Sequence, residues 1–170
     1  SCLFCCVCLC VVVFLLYCAR SALSRVRASA ASDLYKGQTM GYEYILVDAV
    51  WDKQIGRKGI EALANYAKGK GVSLMLWYNS NGTENDAPQG PRNIMSNSIA
   101  RKRDMAWMKQ LGVKAIKVDF FGGDKQETLQ LFQDILSDAN EYGLQVIFHG
   151  CTLPRGWERM YPNFIANEAA

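Results

Sequence analysis

The 170-residue chain holds a single histidine, four prolines and no basic run longer than Arg101-Lys102-Arg103. Nineteen Lys and Arg against 16 Asp and Glu leave a formal charge of only +3. Without a concentrated basic face, nucleic acid is not an expected partner. None of the cysteine spacings repeats like a zinc site. Six of the seven cysteines (Cys2, Cys5, Cys6, Cys8, Cys10 and Cys18) crowd into one apolar run, and Cys151 stands alone. Close neighbours of that kind cannot staple a fold, so a disulfide framework is excluded. What remains is an ordinary globular composition: half of the residues are hydrophobic and 21% are charged. Wholesale disorder is excluded on that balance, and the length allows one domain with a sizeable core.

Residues 2–18 form an unbroken apolar stretch, at the short end of the roughly 17–25 residues needed to span a bilayer. No charge precedes it, Arg20, Arg25 and Arg27 follow it, and Ala28-Ser29-Ala30 is a weak cleavage pattern. Three readings stay open: an incomplete signal or anchor segment, an out-of-frame translation, or a genuine cysteine-rich membrane anchor. Residues 19–35, rich in Ser, Ala and Arg, read as a linker. Residues 1–35 are accordingly expected to lie outside the fold, and residues 36–170 to form the domain.

From Tyr42 onward, short β-rich apolar runs alternate with amphipathic helical patterns. Strands are expected at 44–47, 72–77, 113–118, 144–148 and 163–167. Between them lie a helix carrying Ile60, Leu63, Ala64 and Ala67, a helix over 98–111 carrying Met105, Met108 and Leu111, and one over 125–142 carrying Leu129, Phe132, Ile135, Leu136 and Ala139. A polar loop over 78–96 and breaks at Gly69-Lys70-Gly71, Gly112 and Gly143 punctuate the series. Such alternation implies parallel strands with right-handed crossovers. A dinucleotide-binding sheet would need a glycine-rich turn after its first strand, and Asp48-Ala49-Val50-Trp51 stands there instead. Nearly every strand ends in a polar or charged residue (Asp48, Asn79, Asp119, His149, Glu168), the habit of barrels. The expected architecture is an α/β incomplete (β/α)8 TIM barrel of about five βα units, because a whole barrel takes about 250 residues.

Lys117 and Asp119 are two apart on one strand and therefore share a face, at the barrel mouth if Val118 packs outward. A carboxylate beside an ammonium suits a nucleophile or an electrostatic stabiliser, and equally a structural ion pair. Phe120-Phe121 followed by Gly122-Gly123 offers aromatic walls and a flexible turn. Asp48 with Trp51, and Trp77, are read as sugar hydrogen-bonder and stacking platforms, or else as core residues. His149 is a hydroxyl-binding candidate or a structural hydrogen bonder. Glu168 is open between catalytic acid, calcium ligand and cap. Carboxylates at strand ends with aromatics alongside suggest glycoside cleavage.

The segments GYEYILVDAVW, GVSLMLWYNSNG, GVKAIKVDFFGGDKQETLQLFQDIL and VIFHGCTLPRGWERMYPNFIANEA together resemble the catalytic barrel of glycoside hydrolase family 97 over roughly residues 40–170. The resemblance implies a hydrolase of α-galactosides or α-glucosides, with an oligosaccharide or α-glycoside as substrate. It implies a retaining mechanism, with Asp119 in the family's Lys-x-Asp-Phe setting as nucleophile and Lys117 as a substrate contact. The glutamates of the inverting branch correspond to Gly150 and to the neighbourhood of Asn79, and neither position is acidic here. Glu168 matches a glutamate that helps bind calcium, so the resemblance implies Ca2+ as cofactor; the expected location is secreted or periplasmic/cell-envelope. The family's acid/base glutamate follows the Asn-x-Glu-Ala segment, beyond Ala170. This fragment alone is therefore expected to be inactive. The alternatives are a non-catalytic carbohydrate-binding remnant, such as a pseudogene product, and an unrelated α/β enzyme such as a phosphate-binding barrel.

Overall fold

The computed structural model describes residues 11–12, 38–83 and 85–169. Six strands form one sheet: β1 (Val11–Val12), β2 (Tyr44–Val47), β3 (Ser73–Asn79), β4 (Ala115–Asp119), β5 (Gln145–Cys151) and β6 (Phe164–Ala169). The helices are α1 (Trp51–Gln54), α2 (Gly56–Gly69), α3 (Ser98–Leu111), α4 (Gln126–Tyr142) and α5 (Trp157–Met160). All neighbouring strands pair in parallel, and their order across the sheet is their order in the chain. A doubly wound sheet reverses direction at a switch point. No reversal occurs among these strands, so successive crossovers advance around a barrel wall.

The two faces of the sheet follow from strand alternation. Ile45 and Val47, Leu74 and Leu76, Ile116 and Val118, and Val146 and Phe148 face the helices in the main core. Leu46, Met75, Trp77 and Ala115 form a second cluster on the other face, joined by Tyr44, Ala49, Phe120 and Ile147. That second cluster is the barrel interior, and Val118 packing outward puts Lys117 and Asp119 on the interior side. The expected helical stripes are the buried ones: Ile60, Ala64 and Ala67 in α2, Met105 and Met108 in α3, and Phe132, Ile135, Leu136 and Ala139 in α4. Gly112 and Gly143 close α3 and α4 in the left-handed conformation, at φ 81° and 71°. Each of β3, β4, β5 and β6 begins one or two residues later than the apolar runs suggested and runs further toward its polar end. The extra residues are those that carry the site.

Val11–Val12 pairs with β2 by lying opposite Tyr44 and Ile45. This backbone pairing covers two residues of the segment expected to lie outside the fold. The other residues of that segment, its six cysteines included, lie outside the described residues. Among the described residues no helix is long and apolar enough to cross a membrane.

Candidate active site

Asp119 is the last residue of β4 and is only 5% exposed. A carboxylate at that depth needs donors, and three surround it. Its Oδ1 accepts the backbone N–H of Phe120 at 2.8 Å and faces His149 Nδ1 at 3.1 Å. Its Oδ2 accepts the indole N–H of Trp77 at 3.1 Å. Gly150 leaves no room beside it: a β-carbon built there would lie 2.8 Å from Oδ1. Three neighbouring strands, β3, β4 and β5, thus converge on one carboxylate toward their C-terminal ends.

His149 reaches the other way as well, with Nε2 at 2.8 Å from Glu168 Oε2. The parallel register of β5 and β6 sets His149 directly opposite Glu168. An imidazole between two carboxylates can donate to both only when both ring nitrogens carry protons. Asp119, His149 and Glu168 form a chain from a buried carboxylate to one whose side chain is 72% exposed.

Lys117 lies opposite Trp77 on one side and Ile147 on the other, half-buried on the interior face. No salt bridge joins it to Asp119, whose Oδ1 faces His149 Nδ1 instead. The ion-pair reading of Lys117 and Asp119 is therefore corrected. Asp48, one residue past β2 and half-buried, accepts its own neighbour's N–H, Ala49, at 2.8 Å. Both keep capacity for a ligand at the mouth.

The two tryptophans do not present faces to a sugar. Val50 takes a left-handed conformation, φ 67°, and opens α1. That turn carries Trp51 into the layer between sheet and helices, where it stacks on Trp107 and meets Tyr78 edge-on. Its indole N–H donates to the Trp77 carbonyl at 2.7 Å, and it is 2% exposed. Trp51 is a core residue, and the platform expected there is corrected. Trp77 is on the interior side but is 1% exposed, with its ring edge committed to Asp119. It holds the carboxylate in place and offers no stacking surface. The half-buried aromatic ring at the mouth belongs to Phe120, edge-on to Trp77 with ring centroids 5.8 Å apart.

Ser80 escaped the sequence reading, and Asn79, noted there as a polar strand end, has a role that was not anticipated. Ser80, fully buried, donates its hydroxyl to the Phe120 carbonyl at 2.6 Å and its backbone N–H to the Asp119 carbonyl at 2.8 Å. Asn79 ties the following loop together. It donates to the carbonyls of Ala87 and Gln89 and accepts from Asn81 N–H at 2.9 Å and Asn85 Nδ2 at 2.5 Å. The only advance signal was the density of Asn, Ser and Gly after β3, which marks a hydrogen-bonded loop.

The described residues do not by themselves fit the calcium that the resemblance implies. No three His, Cys, Asp or Glu side chains among them come together as a metal cage. Calcium takes six to eight oxygens, and Glu168 supplies one carboxylate already engaged by His149. Other donors would have to lie outside the described residues, and no step proposed below runs through a metal.

Comparison with known proteins bears on this geometry. The family model described as Glycoside hydrolase 97 matches residues 36–170. A probable retaining alpha-galactosidase of Streptomyces bingchenggensis is 27% identical over 140 residues, covering 75% of this chain and 20% of its own length. The retaining alpha-galactosidase of Bacteroides thetaiotaomicron is 28% identical over 133 residues, covering 74% and 18%. The chain thus spans about a fifth of the length of these curated relatives. A crystal structure of a beta-arabinopyranosidase is 58% identical, with a TM-score of 0.81 over 84% of this chain and 23% of that one. A family 97 enzyme from Pseudoalteromonas sp. strain K8, in complex with acarbose, shares the fold at 16% identity, with a TM-score of 0.61 over 83% of this chain and 25% of that one. With the barrel-type sheet, the strand-end carboxylate and a match over residues 36–170 in agreement, the chain belongs to glycoside hydrolase family 97.

Proposed function

We propose that this chain is part of the catalytic barrel of a retaining exo-glycosidase, with Asp119 as nucleophile. The single observation that carries the reading is the Asp119 carboxylate, buried at the end of β4 with donors on both oxygens. An ordered, ionised carboxylate is what displacement at an anomeric carbon requires. In the first step Asp119 bonds to the anomeric carbon while the bond to the leaving oxygen breaks. That oxygen takes a proton from a carboxylic acid, a glutamate proposed to lie outside the described residues. Water then attacks the same carbon, gives its proton to that glutamate, and frees Asp119. Two inversions return the starting configuration. Lys117 and Asp48 are proposed to bind ring hydroxyls, and His149 to hold Asp119 and orient the sugar beside it.

The proposed substrates are glycosides with the α-galacto arrangement of ring hydroxyls. An α-D-galactopyranoside and a β-L-arabinopyranoside share that arrangement and differ by one hydroxymethyl group. Names of relatives support both: two curated relatives are called retaining alpha-galactosidases, and the 58%-identical structure is titled a beta-arabinopyranosidase. The test uses the protein expressed from its natural reading frame. Nitrophenyl glycosides of both sugars are supplied, and the first-formed sugar is read by proton NMR. Retention by the wild type, and loss of several orders of magnitude in Asp119→Asn, are expected. Inversion, or full activity in Asp119→Asn, would sink the mechanism. Sugar binding without turnover would favour a non-catalytic carbohydrate-binding protein instead.

A further inference from the structure

Phe120 has a backbone conformation that a bulky side chain rarely adopts. Its φ is +62°, in the left-handed region that is strained for any residue other than glycine. Strain of this sort persists only where the surroundings over-determine it, and it gathers at functional sites. Here every backbone group about the residue is tied. Its N–H donates to Asp119 Oδ1, its carbonyl accepts the Ser80 hydroxyl, and the next N–H, of Phe121, donates to the Gly150 carbonyl at 3.0 Å. A β-carbon on Gly150 would stand 3.2 Å from the Phe120 nitrogen, so β5 closes against it. A glycine would take this conformation freely. The chain instead holds an aromatic ring there, half-buried against Trp77 and adjacent in sequence to Asp119. Phe121 goes outward into the core and stacks on Phe132 at 3.8 Å. Continued strand alternation after the inward-facing Asp119 would send Phe120 outward and Phe121 inward; the left-handed turn reverses this and puts Phe120 on the interior side.

We propose that the ring of Phe120 is a substrate-contacting wall, packed against the apolar face of the sugar whose anomeric carbon Asp119 attacks. In a galacto-configured ring the axial hydroxyl leaves several C–H groups together on one face, and such a face packs on an aromatic ring. Trp51 and Trp77 are spent elsewhere, so among the described tryptophans and phenylalanines on the interior side Phe120 alone is half-exposed at the carboxylate. The inference rests on Asp119 marking the sugar site and deepens that reading.

The experiment separates sugar binding from turnover. Galactose and arabinose are titrated calorimetrically into the protein expressed from its natural reading frame, and nitrophenyl glycoside hydrolysis is measured in parallel. Phe120→Leu keeps an apolar side chain and the same backbone demand, and it is expected to weaken sugar binding about tenfold, the size of a lost ring contact. Its thermal midpoint is expected to stay close to that of the wild type. Phe120→Gly relieves the backbone strain and is expected to weaken binding further, while Phe120→Tyr restores it. If Phe120→Gly does not fold, the Leu and Tyr variants decide. Unchanged binding in Phe120→Leu, or equal loss in Leu and Tyr variants, overturns the proposal. Binding by the wild type without hydrolysis would overturn the catalytic reading and leave the wall standing. No binding by the wild type would overturn both.

Discussion

Gly150 and Asp119 are in such close contact that a β-carbon on the glycine would lie 2.8 Å from the carboxylate's Oδ1. The oxygen cannot move aside freely, because Phe120 N–H and His149 Nδ1 both hold it. Gly150 also has φ +52°, which an L side chain adopts at a cost. Gly150→Ala is therefore expected to lower stability by about 1–2 kcal/mol through the backbone. It is expected to lower kcat/KM by far more than that loss of folded protein explains, because the clash falls on the nucleophile. Urea denaturation and kinetics on the same preparation check this. An alanine variant with lowered stability and unchanged kcat/KM would show that the carboxylate's position does not matter.

Trp77 gives a second handle on the same group. Its indole N–H is the donor to Asp119 Oδ2. Trp77→Phe keeps an aromatic of similar shape and removes that donor. One hydrogen bond to a charged group is worth about 1.5–3 kcal/mol, so kcat should fall by about 10- to 100-fold. KM on the nitrophenyl glycosides should change little, since the ring face is covered and does not meet the sugar. A variant that loses KM and keeps kcat would return Trp77 to the role of stacking platform.

The contrast between the two tryptophans shows how far the sequence could be read. Strand identity and polar strand ends were legible because alternation and burial write themselves as apolar runs, and so Lys117, Asp119, His149 and Glu168 all lie toward one end of the sheet. Trp51 was misread because its destiny depends on Val50 turning left-handed at φ 67°, which valine composition gives no reason to expect. The His149–Glu168 pairing was equally hidden. Register shifts fall between Val146 and Ile147 and between His149 and Cys151, so spacing alone cannot say which β6 residue faces the histidine. Ser80 looked like one more loop residue until β3 ran two residues past the apolar run and brought its hydroxyl to Phe120. The two-residue strand Val11–Val12 was set aside because its surroundings read as an anchor segment, yet pairing to β2 needs only backbone.

Away from the site, Tyr78 makes the fold sensitive to alkali. Its hydroxyl donates to Asp104 Oδ2 at 2.6 Å, and Arg57 binds the other oxygen of the same carboxylate. Burial first, and then the Asp104 charge and hydrogen bond, hold the phenol well above its ordinary value of 10.0. In the unfolded chain Tyr78 loses its proton near the ordinary value, while the folded chain keeps it. The unfolded state then binds fewer protons, so stability falls as pH rises above about 10. Below that value the contribution is fully present. Tyr78→Phe removes the titration and leaves Asp104 with Arg57, at about 1–3 kcal/mol near neutral pH. The expected signature is a gap between wild type and variant in urea midpoints that stays constant from pH 7 to about 10 and narrows above it. A gap that stays constant above about pH 10 as well would mean the phenol does not titrate with unfolding.

Cys151 supplies the last prediction, because its environment opposes thiolate formation. The thiol is buried at the end of β5, donates to the Glu168 carbonyl at 3.4 Å, and accepts from Asn167 Nδ2 at 3.7 Å. Burial is the main force pushing its pKa up, with the charges of Asp119 and Glu168 acting in the same direction and the hydrogen bonds opposing. Alkylation needs the thiolate and an approach to it. Iodoacetamide near neutral pH is therefore expected to label Cys151 far more slowly in the folded protein than in urea. Peptide mapping by mass spectrometry separates this position from the six cysteines of residues 2–18. Asp119→Asn removes one of the neighbouring charges without opening the site, so it should leave Cys151 protected by burial and speed its labelling only slightly. Rapid labelling in the folded wild type would mean that the β5–β6 end of the wall opens, and the Asp119–His149–Glu168 chain, built on the same two strands, would open with it.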